Sequence, residues 1–234
     1  GMVGWPLQFG YSSTGGNYAP TSVLYDNMVV SQADTPADPT ATDLFVSEYG
    51  EGPSGTSSWG KYLEIANFTG ADVSLNGYIL GGITNGGDAY EKFVSFTADA
   101  TIANGDVWVI GRAESGDGSP EALYSQIDQV NTDVTHNGDD AWHLLAGTSD
   151  SYTLVDAAIG DAGDDPGSGF TVCGDGTTAN VTLVRKATVS AGADSWATSA
   201  GTDADTCQWT IVSQSADALD YSTVGNHTFT GSAE

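Results

Sequence analysis

Short stretches in which apolar and polar residues alternate make up much of this chain. In residues 62–67 (YLEIAN), Leu63 and Ile65 alternate with Tyr62 and Glu64, which is the period of two that a β-strand shows when one face of its sheet is buried. The pattern places Leu63 and Ile65 toward the core. Comparable runs predict strands at residues 24–31, 44–48, 62–67, 73–75, 78–80, 92–96, 107–111, 141–145, 154–159, 170–173, 181–185 and 209–212.

Turn signals separate these runs, and helical patterns are scarce. Asn-Gly pairs, which tolerate the positive φ of tight turns, occur at 76–77, 85–86, 104–105 and 137–138. The best helical candidate is 119–130, with Ser119 as N-cap and Pro120 at the first helical position, and 215–219 is a weaker one. Since no crossover helices lie between the strands, a parallel α/β fold is excluded. The pattern predicts an all-β antiparallel sandwich or barrel.

A break in composition divides the chain near its N-terminus. Residues 32–42 (QADTPADPTAT) have two prolines and no large apolar side chain, which predicts an extended linker. Residues 1–31 are too few to bury a core of their own. This N-terminal segment therefore docks on the main body, closes a preceding domain or stays disordered, and residues 18–31 are similar to the closing strand of a jelly-roll domain.

The charge of the chain restricts its partners. Thirty-one acidic residues face five basic ones, for a formal charge of -26. Nucleic-acid affinity depends on lysine and arginine that displace counterions, so we expect no direct binding of DNA or RNA. Cations, or surfaces that carry them, are the favoured partners, although solubility in a salty medium explains the same balance. No apolar run approaches the about 20 residues that cross a bilayer, so we expect no membrane insertion.

Two groups of residues suggest site chemistry. Cys173 and Cys207 lie in strand-rich, turn-rich sequence with an extracellular character, so we expect a disulfide between them. It would close a loop of about 35 residues and stabilise the fold by roughly 3–4 kcal/mol. Asp161, Asp164 and Asp165 stand in a glycine-containing loop that could supply oxygen ligands to Ca²⁺, although no EF-hand pattern is present and a solvated loop is the alternative.

The sequence offers little for catalysis. No histidine pair has metal-ligand spacing, and no Gly-x-Ser-x-Gly elbow occurs. The adjacent aspartates at 139–140 and 164–165 stand in glycine-rich loops, where carboxylates are usually solvated. We therefore predict that this chain is not an enzyme.

From residue 44 onward the chain resembles a lamin tail domain. The carrying stretches are LFVSEYGEG (44–52), KYLEIANFTGADVSLNGYIL (61–80), TIANGDVWVIGRA (101–113), NGDDAWHLLAG (137–147) and LVDAAIG (154–160). The resemblance implies an immunoglobulin-like antiparallel β-sandwich over residues 43–160. Residues 161–230 look like the β-rich extension that follows this domain in bacterial secreted proteins, and we expect it to pack on the sandwich.

The resemblance also sets the functional expectation. Bacterial secreted proteins of this kind often carry an extracellular nuclease or other phosphoesterase, so it implies a non-catalytic accessory module, extracellular or at the cell surface, with a protein or glycan partner. One alternative is a carbohydrate-binding module with an exposed row of Trp59, Tyr90 and Trp142. A second is a hydrolase in its own right, which needs an open cleft with two converging carboxylates.

Overall fold

Antiparallel strands dominate the computed structural model, which describes residues 39–53, 59–215 and 218–231. The predicted strand at 24–31, the N-terminal segment 1–31 and linker residues 32–38 lie outside the described residues. The elements in chain order are β1 (Phe45–Gly50), β2 (Tyr62–Asn67), β3 (Val73–Ser74), β4 (Tyr78–Ile83), β5 (Lys92–Ser95), β6 (Thr101–Ile102), β7 (Asp106–Gly111), α1 (Glu121–Tyr124), β8 (Gln129–Val130), β9 (Ala141–Thr148), β10 (Ser151–Ile159), β11 (Thr171–Val172), β12 (Gly176–Thr177), β13 (Val181–Arg185), α2 (Trp196–Ala200) and β14 (Trp209–Ser213). No helix among them is long and apolar enough to span a membrane.

Two main sheets form the sandwich. The larger has six strands in the order β14-β13-β1-β2-β7-β8, and the smaller has four in the order β10-β9-β4-β5. All neighbours are antiparallel except β7 and the two-residue β8. We predicted residues 161–230 as an extension packed on a sandwich of residues 43–160. The structure places two strands of that extension within the larger sheet: β13 pairs with β1, and β14 pairs with β13.

Most of the strand predictions are confirmed. Every predicted strand within the described residues overlaps an observed one, and the strands at 62–67 and 181–185 agree at both ends. The prediction missed β6, β8 and β12. Each has only two residues, which is too short to display an alternating pattern.

The helix predictions were wrong in extent and position. Within 119–130 only α1 is helical, and its N-cap is Pro120 rather than Ser119. The backbone N–H of Asp128 donates to the Val109 carbonyl at 2.9 Å, and the Asp128 carboxylate accepts from the Val109 N–H at 2.8 Å. These bonds draw the chain onto the sheet, where it continues as β8.

The second helix lies elsewhere than expected. Ser215 and Ala218, at the predicted helix 215–219, form an isolated β-bridge instead. The unpredicted α2 begins after Ser195, whose side chain caps it by accepting from the N–H of Thr198 at 3.3 Å. This helix has only five residues, so its sequence shows no helical period.

The main core fills the space between the inner faces of the two sheets. Leu63 and Ile65 are fully buried there, as the alternation in β2 predicted. From the smaller sheet, Leu80, Trp142 and Leu144 pack against them. Burial of side chains of this size contributes roughly 1.5–3 kcal/mol each, so this layer is the main stabilising element.

The outer face of the larger sheet is also covered, which corrects the expectation of one buried face. All six residues of β2 are buried, including Tyr62 and Glu64. A second apolar cluster covers them, built from α1 and from the C-terminal segment, residues 218–231. Its buried members are Ala41, Phe45, Tyr62, Ala66, Val107, Val109, Ala113, Leu123, Tyr221 and Val224.

A buried ion pair joins the two sheets. Arg185 on β13 bonds the carboxylate of Asp156 on β10, and both side chains are 0% exposed. That carboxylate also accepts from the backbone N–H groups of Val46 at 2.9 Å and Ala193 at 2.8 Å. Asp156 thus connects β10, β1, β13 and the chain that precedes α2.

The arginine end of the pair has further partners. Its guanidinium donates to Ser199 Oγ at 3.0 Å and lies 4.3 Å from the centre of the Trp209 ring. Ser199 Oγ also accepts from Trp209 Nε1 at 2.8 Å and donates to the Ala158 carbonyl at 2.8 Å. The pair, α2 and β14 therefore form one polar network inside the protein.

Removal of one partner from this network should be costly. We expect Arg185→Met to lower the free energy of unfolding by about 3–5 kcal/mol, because Asp156 would stay buried without its counter-charge. The neighbouring Lys186 bonds only a backbone carbonyl, so Lys186→Met should change it by less than about 1 kcal/mol. Urea unfolding with the disulfide intact measures both, and equal losses in the two variants would contradict the role given to the pair.

Candidate functional site

The outer face of the smaller sheet carries exposed aromatic and aliphatic side chains. Alternation along the strands directs Phe93, His143 and Tyr152 away from the core, and register places Gly81 opposite both Phe93 and His143. Tyr90, just before β5, lies over Gly81. A Cβ at Gly81 would lie 2.6 Å from the Tyr90 ring, so glycine makes this close approach possible.

Three rings and a leucine form what we call the aromatic face: Tyr90, Phe93, Tyr152 and Leu154. The ring centres of Tyr90 and Tyr152 are 5.3 Å apart with planes inclined by 79°. Phe93 lies 5.7 Å from Tyr152 at 48° and 5.9 Å from Tyr90 at 59°. The Tyr90–Tyr152 pair is edge-to-face, an arrangement that is favourable for aromatic rings.

A hydrogen-bond chain beneath the face orients Tyr90. Burial lowers the pKa of His143, so its imidazole is neutral at pH 7. Its Nε2 lies 2.9 Å from the Gly160 carbonyl, which can only accept, so Nε2 carries the proton. Nδ1 is then an acceptor for the Tyr90 hydroxyl at 2.7 Å. The tyrosine is thereby held on the sheet.

The aromatic face reaches solvent along β10. Tyr152 is 42% and Leu154 44% exposed, although both are large apolar side chains. In the described part of the chain, β10 pairs with β9 alone, and on its other side the N–H of Ala157 donates to the Ala193 carbonyl at 2.8 Å. The first half of β10 is therefore an open sheet edge next to an apolar surface.

A cavity of about 330 Å³ continues this surface toward the far end of the smaller sheet. Ile79, Ser95 and Gly147, which lie on the same sheet face, line it together with the turn between β9 and β10. The face thus ends in a recess large enough for a side chain.

An acidic rim borders the opposite end, near Tyr90. Two loops, residues 84–91 and 160–165, pack together there, and the N–H of Gly163 donates to the Gly87 carbonyl at 2.9 Å. We call their carboxylates the acidic rim: Asp88, Glu91, Asp161, Asp164 and Asp165. No lysine or arginine of the described residues joins the aromatic face, because Lys92 of β5 reaches the other way, to Thr135 and the Trp142 ring.

The three aspartates predicted as calcium ligands are part of this rim. Asp161 accepts from the Trp196 N–H at 3.3 Å, and Asp165 from the Gly167 N–H at 2.9 Å. Over residues 39–53, 59–215 and 218–231, no three His, Cys, Asp or Glu side chains form a group that could hold a metal. Calcium binding by Asp161, Asp164 and Asp165 stays a prediction.

The aromatic row predicted for carbohydrate binding does not form. Trp142 is 1% exposed and lies in the main core, and Trp59 packs in the cluster on the outer side of the larger sheet. Only Tyr90 of the three belongs to the aromatic face. Tyr152 lies outside the strand predicted at 154–159, although Tyr152 and Leu154 already show the period of two of β10.

The predicted disulfide is confirmed. Cys173 and Cys207 are bonded, with Cα atoms 5.0 Å apart, and no free cysteine exists in the chain. The bond ties the end of β11 to the turn before β14.

Comparison with known protein families identifies the family of this chain. A family model described as Lamin Tail Domain matches residues 37–220. The chain belongs to the lamin tail domain family. No curated protein and no solved structure matches it. Membership confirms the resemblance and the immunoglobulin-like sandwich, and identifies the chain as an interaction or structural module of that type. The matched residues include β13 and β14, in agreement with their place in the larger sheet.

This lamin tail domain also buries two converging carboxyl groups that sequence analysis missed. Glu48 of β1 and Glu64 of β2 are direct cross-strand neighbours, 1% and 0% exposed. Tyr62 donates to Glu48 at 2.5 Å. Glu64 accepts from Ser47 Oγ and from the N–H of Gly225, both at 2.7 Å. The last bond ties the C-terminal segment to the sheet.

Burial dominates the titration of this pair. It raises the pKa of Glu48 from 4.5 to about 8, with repulsion by Glu64 adding to the shift. It raises the pKa of Glu64 to about 7, against the bonds from Ser47 and Gly225. Groups whose folded pKa is raised stabilise the fold fully below their unfolded pKa, and that contribution is lost as the pH rises through the folded value.

The buried histidines shift in the opposite direction. Burial lowers the pKa of His136 from 6.5 to about 3 and that of His227 to about 4. Their contribution is complete above their ordinary value of 6.5 and is lost as the pH falls. Between about pH 6.5 and 8 the glutamates therefore set the slope, and the domain should lose stability as the pH rises.

Substitution of Glu48 by glutamine tests this slope. Because glutamine has the shape of the protonated carboxyl, we expect Glu48→Gln to be more stable than the parent at pH 8 by roughly 2 kcal/mol and similar at pH 5. Urea unfolding at several pH values measures the difference, with the exposed Glu121→Gln as the control that should follow the parent. A decline of the Glu48→Gln variant as steep as the parent's would contradict the assignment.

Proposed function

We propose that this lamin tail domain is a non-catalytic, extracellular interaction module of a larger secreted or surface protein, and that it holds its partner through the aromatic face. The observation that carries the proposal is the joint exposure of Tyr152 and Leu154, 42% and 44%, on an open strand edge. Exposed apolar patches on an otherwise well-packed domain are typical of interaction sites.

The disulfide and the net charge of the chain support an extracellular setting for the module. The Cys173–Cys207 bond favours an oxidising compartment, since cytosolic thiols are kept reduced. The formal charge of -26 disfavours contact with nucleic acid, even where the parent protein acts on it. A role beside a secreted nuclease or phosphoesterase accords with the bacterial proteins that the chain resembles, and the module would then hold the enzyme near a surface or partner.

A hydrolase function is less well supported by the geometry. Glu48 and Glu64 converge and have raised pKa values, as catalytic pairs do. They are, however, at most 1% exposed, and the C-terminal segment lies over them. A substrate would have to displace Gly225 and its neighbours before it could reach either carboxyl group.

Glycan binding through the same face is also less favoured. A sugar ring stacks best on a flat aromatic surface, whereas the planes of the three rings are inclined to one another by 48° to 79°. A glycan array probed with the purified chain tests this alternative directly.

Retention on cells tests the proposal as a whole. The purified chain, added to washed cells of the organism that encodes it, should stay on their surface. Tyr152→Ser with Leu154→Ser should reduce the retained amount about tenfold, because central apolar contacts carry most binding energy. Val130→Ser is the matched control, since Val130 is 44% exposed but lies on the larger sheet.

Two results would overturn the proposal. One is retention that the double variant leaves unchanged or the control variant reduces equally. The other is hydrolysis of bis-(p-nitrophenyl) phosphate or of DNA by the purified chain, lost in Glu64→Gln.

A further inference from the structure

The charges around the aromatic face all have one sign. Asp88, Asp164 and Asp165 are exposed in the acidic rim beside Tyr90, and the exposed Asp150 directly precedes β10 at its other end. Carboxylates therefore stand at both ends of β10, the strand that carries Tyr152 and Leu154. Their field is not compensated locally, because no basic residue of the described chain lies on this face.

The five basic residues lie elsewhere. Lys61 pairs with Glu51 at 3.2 Å, and Arg185 is buried with Asp156. Lys92 bonds Thr135, and Lys186 donates to the Ala204 carbonyl at 2.6 Å. Arg112 follows β7 in the larger sheet. The face is thus apolar at its centre and purely anionic at its margin.

We infer that the partner presents an extended, basic polypeptide segment in which apolar residues alternate with lysine or arginine, and that this segment adds to the β10 edge across the aromatic face. The inference rests on the proposed function and names the partner's chemistry. Apolar side chains of the segment pack on Tyr152, Leu154 and Phe93, and because alternate side chains of a strand point to opposite faces, it is the cations at the two ends of the segment that meet the acidic rim and Asp150. This combination gives main-chain pairing, apolar anchoring and charge complementarity together.

Strand addition fits the geometry of β10. Its first four residues, 151–154, are exposed, whereas from Val155 the edge is closed: a Cβ on Gly192 would lie 2.3 Å from the Val155 carbonyl oxygen. An incoming strand therefore has a defined stop. The cavity of about 330 Å³ beside Ile79 and Gly147 gives one anchoring side chain a recess at the far end.

A second copy of this chain is the wrong partner for the same surface. Each copy carries a formal charge of -26 and would bring a second acidic rim against the first. Like charges across an interface oppose association, whereas a cationic segment is attracted from a distance.

Three short peptides test the inference on the intact chain. In each of them two residue types alternate along the sequence, and we name them Val-Lys, Val-Glu and Ser-Lys after those residues. Isothermal titration near physiological ionic strength should show Val-Lys binding at least about tenfold more tightly than either of the others. Tyr152→Ser with Leu154→Ser should weaken Val-Lys binding about tenfold, and Val130→Ser should leave it unchanged.

The charge contribution has its own matched pair of variants. Asp88→Asn with Asp164→Asn removes two rim charges and should weaken Val-Lys binding and flatten its salt dependence. Asp133→Asn with Asp205→Asn removes two exposed charges from other loops and should do neither.

Each remaining outcome overturns the inference. Equal binding of Val-Glu and Val-Lys, lost in the Tyr152/Leu154 variant, would refute the cationic partner and leave the aromatic face as an interaction site. If Ser-Lys and Val-Lys bound equally, and the Tyr152/Leu154 variant bound them as the parent does, the net charge of the chain alone would explain the binding. No binding of Val-Lys, with cell retention still dependent on Tyr152, would show a partner of another class, such as the glycan that the array would reveal.

Discussion

The buried ion pair between Arg185 and Asp156 is the constraint on which the rest of the structure depends. It crosses from β13 of the larger sheet to β10 of the smaller one, and Asp156 also binds the N–H groups of Val46 and Ala193. A charge of this kind cannot be left without its partner in a dry interior. The second half of β10 is therefore fixed under the chain around Ala193. The first half projects beyond the network, so one strand is both a structural anchor and an open edge.

The outer faces of the two sheets differ in how they are covered. On the larger sheet, α1 and the C-terminal segment cover β2 completely, and the Gly225–Glu64 bond fastens that cover. On the smaller sheet, within the described ranges, single aromatic side chains lie over the outer face. Tyr90 lies on Gly81, fixed by the neutral His143, while Tyr152 and Leu154 stay open to solvent. Tyr152 and Leu154 of the smaller sheet are therefore accessible to a partner, whereas the residues of β2 in the larger sheet are not.

The sequence predicted those features of the fold that depend on local residue patterns. The strands, the inward direction of Leu63 and Ile65, and the cysteine pair followed from residue types and spacing. The cover of a sheet face depends on distant chain, and no local pattern shows that Gly225 bonds Glu64 across 161 positions. The location of Trp142 could not be predicted for the same reason. A tryptophan is suited both to a sugar-binding surface and to a core, and only the packing of β9 shows that Trp142 lies in the core. The two-residue strands and the short α2 carried too few residues for a period.

The positions of the basic residues show how the acidic composition affects the aromatic face. A surplus of aspartate alone suits solubility in salt and says nothing about a site. Here the few cations lie away from the aromatic face, and several of them have partners there, such as Lys61 with Glu51 and Lys186 with Ala204. Carboxylates at the margin of the aromatic face then act without local neutralisation. The apolar centre of that face carries no charge, so different residues determine affinity and selectivity. Tyr152 and Leu154 supply contact area, and the negative charge of the rim favours the approach of cationic partners.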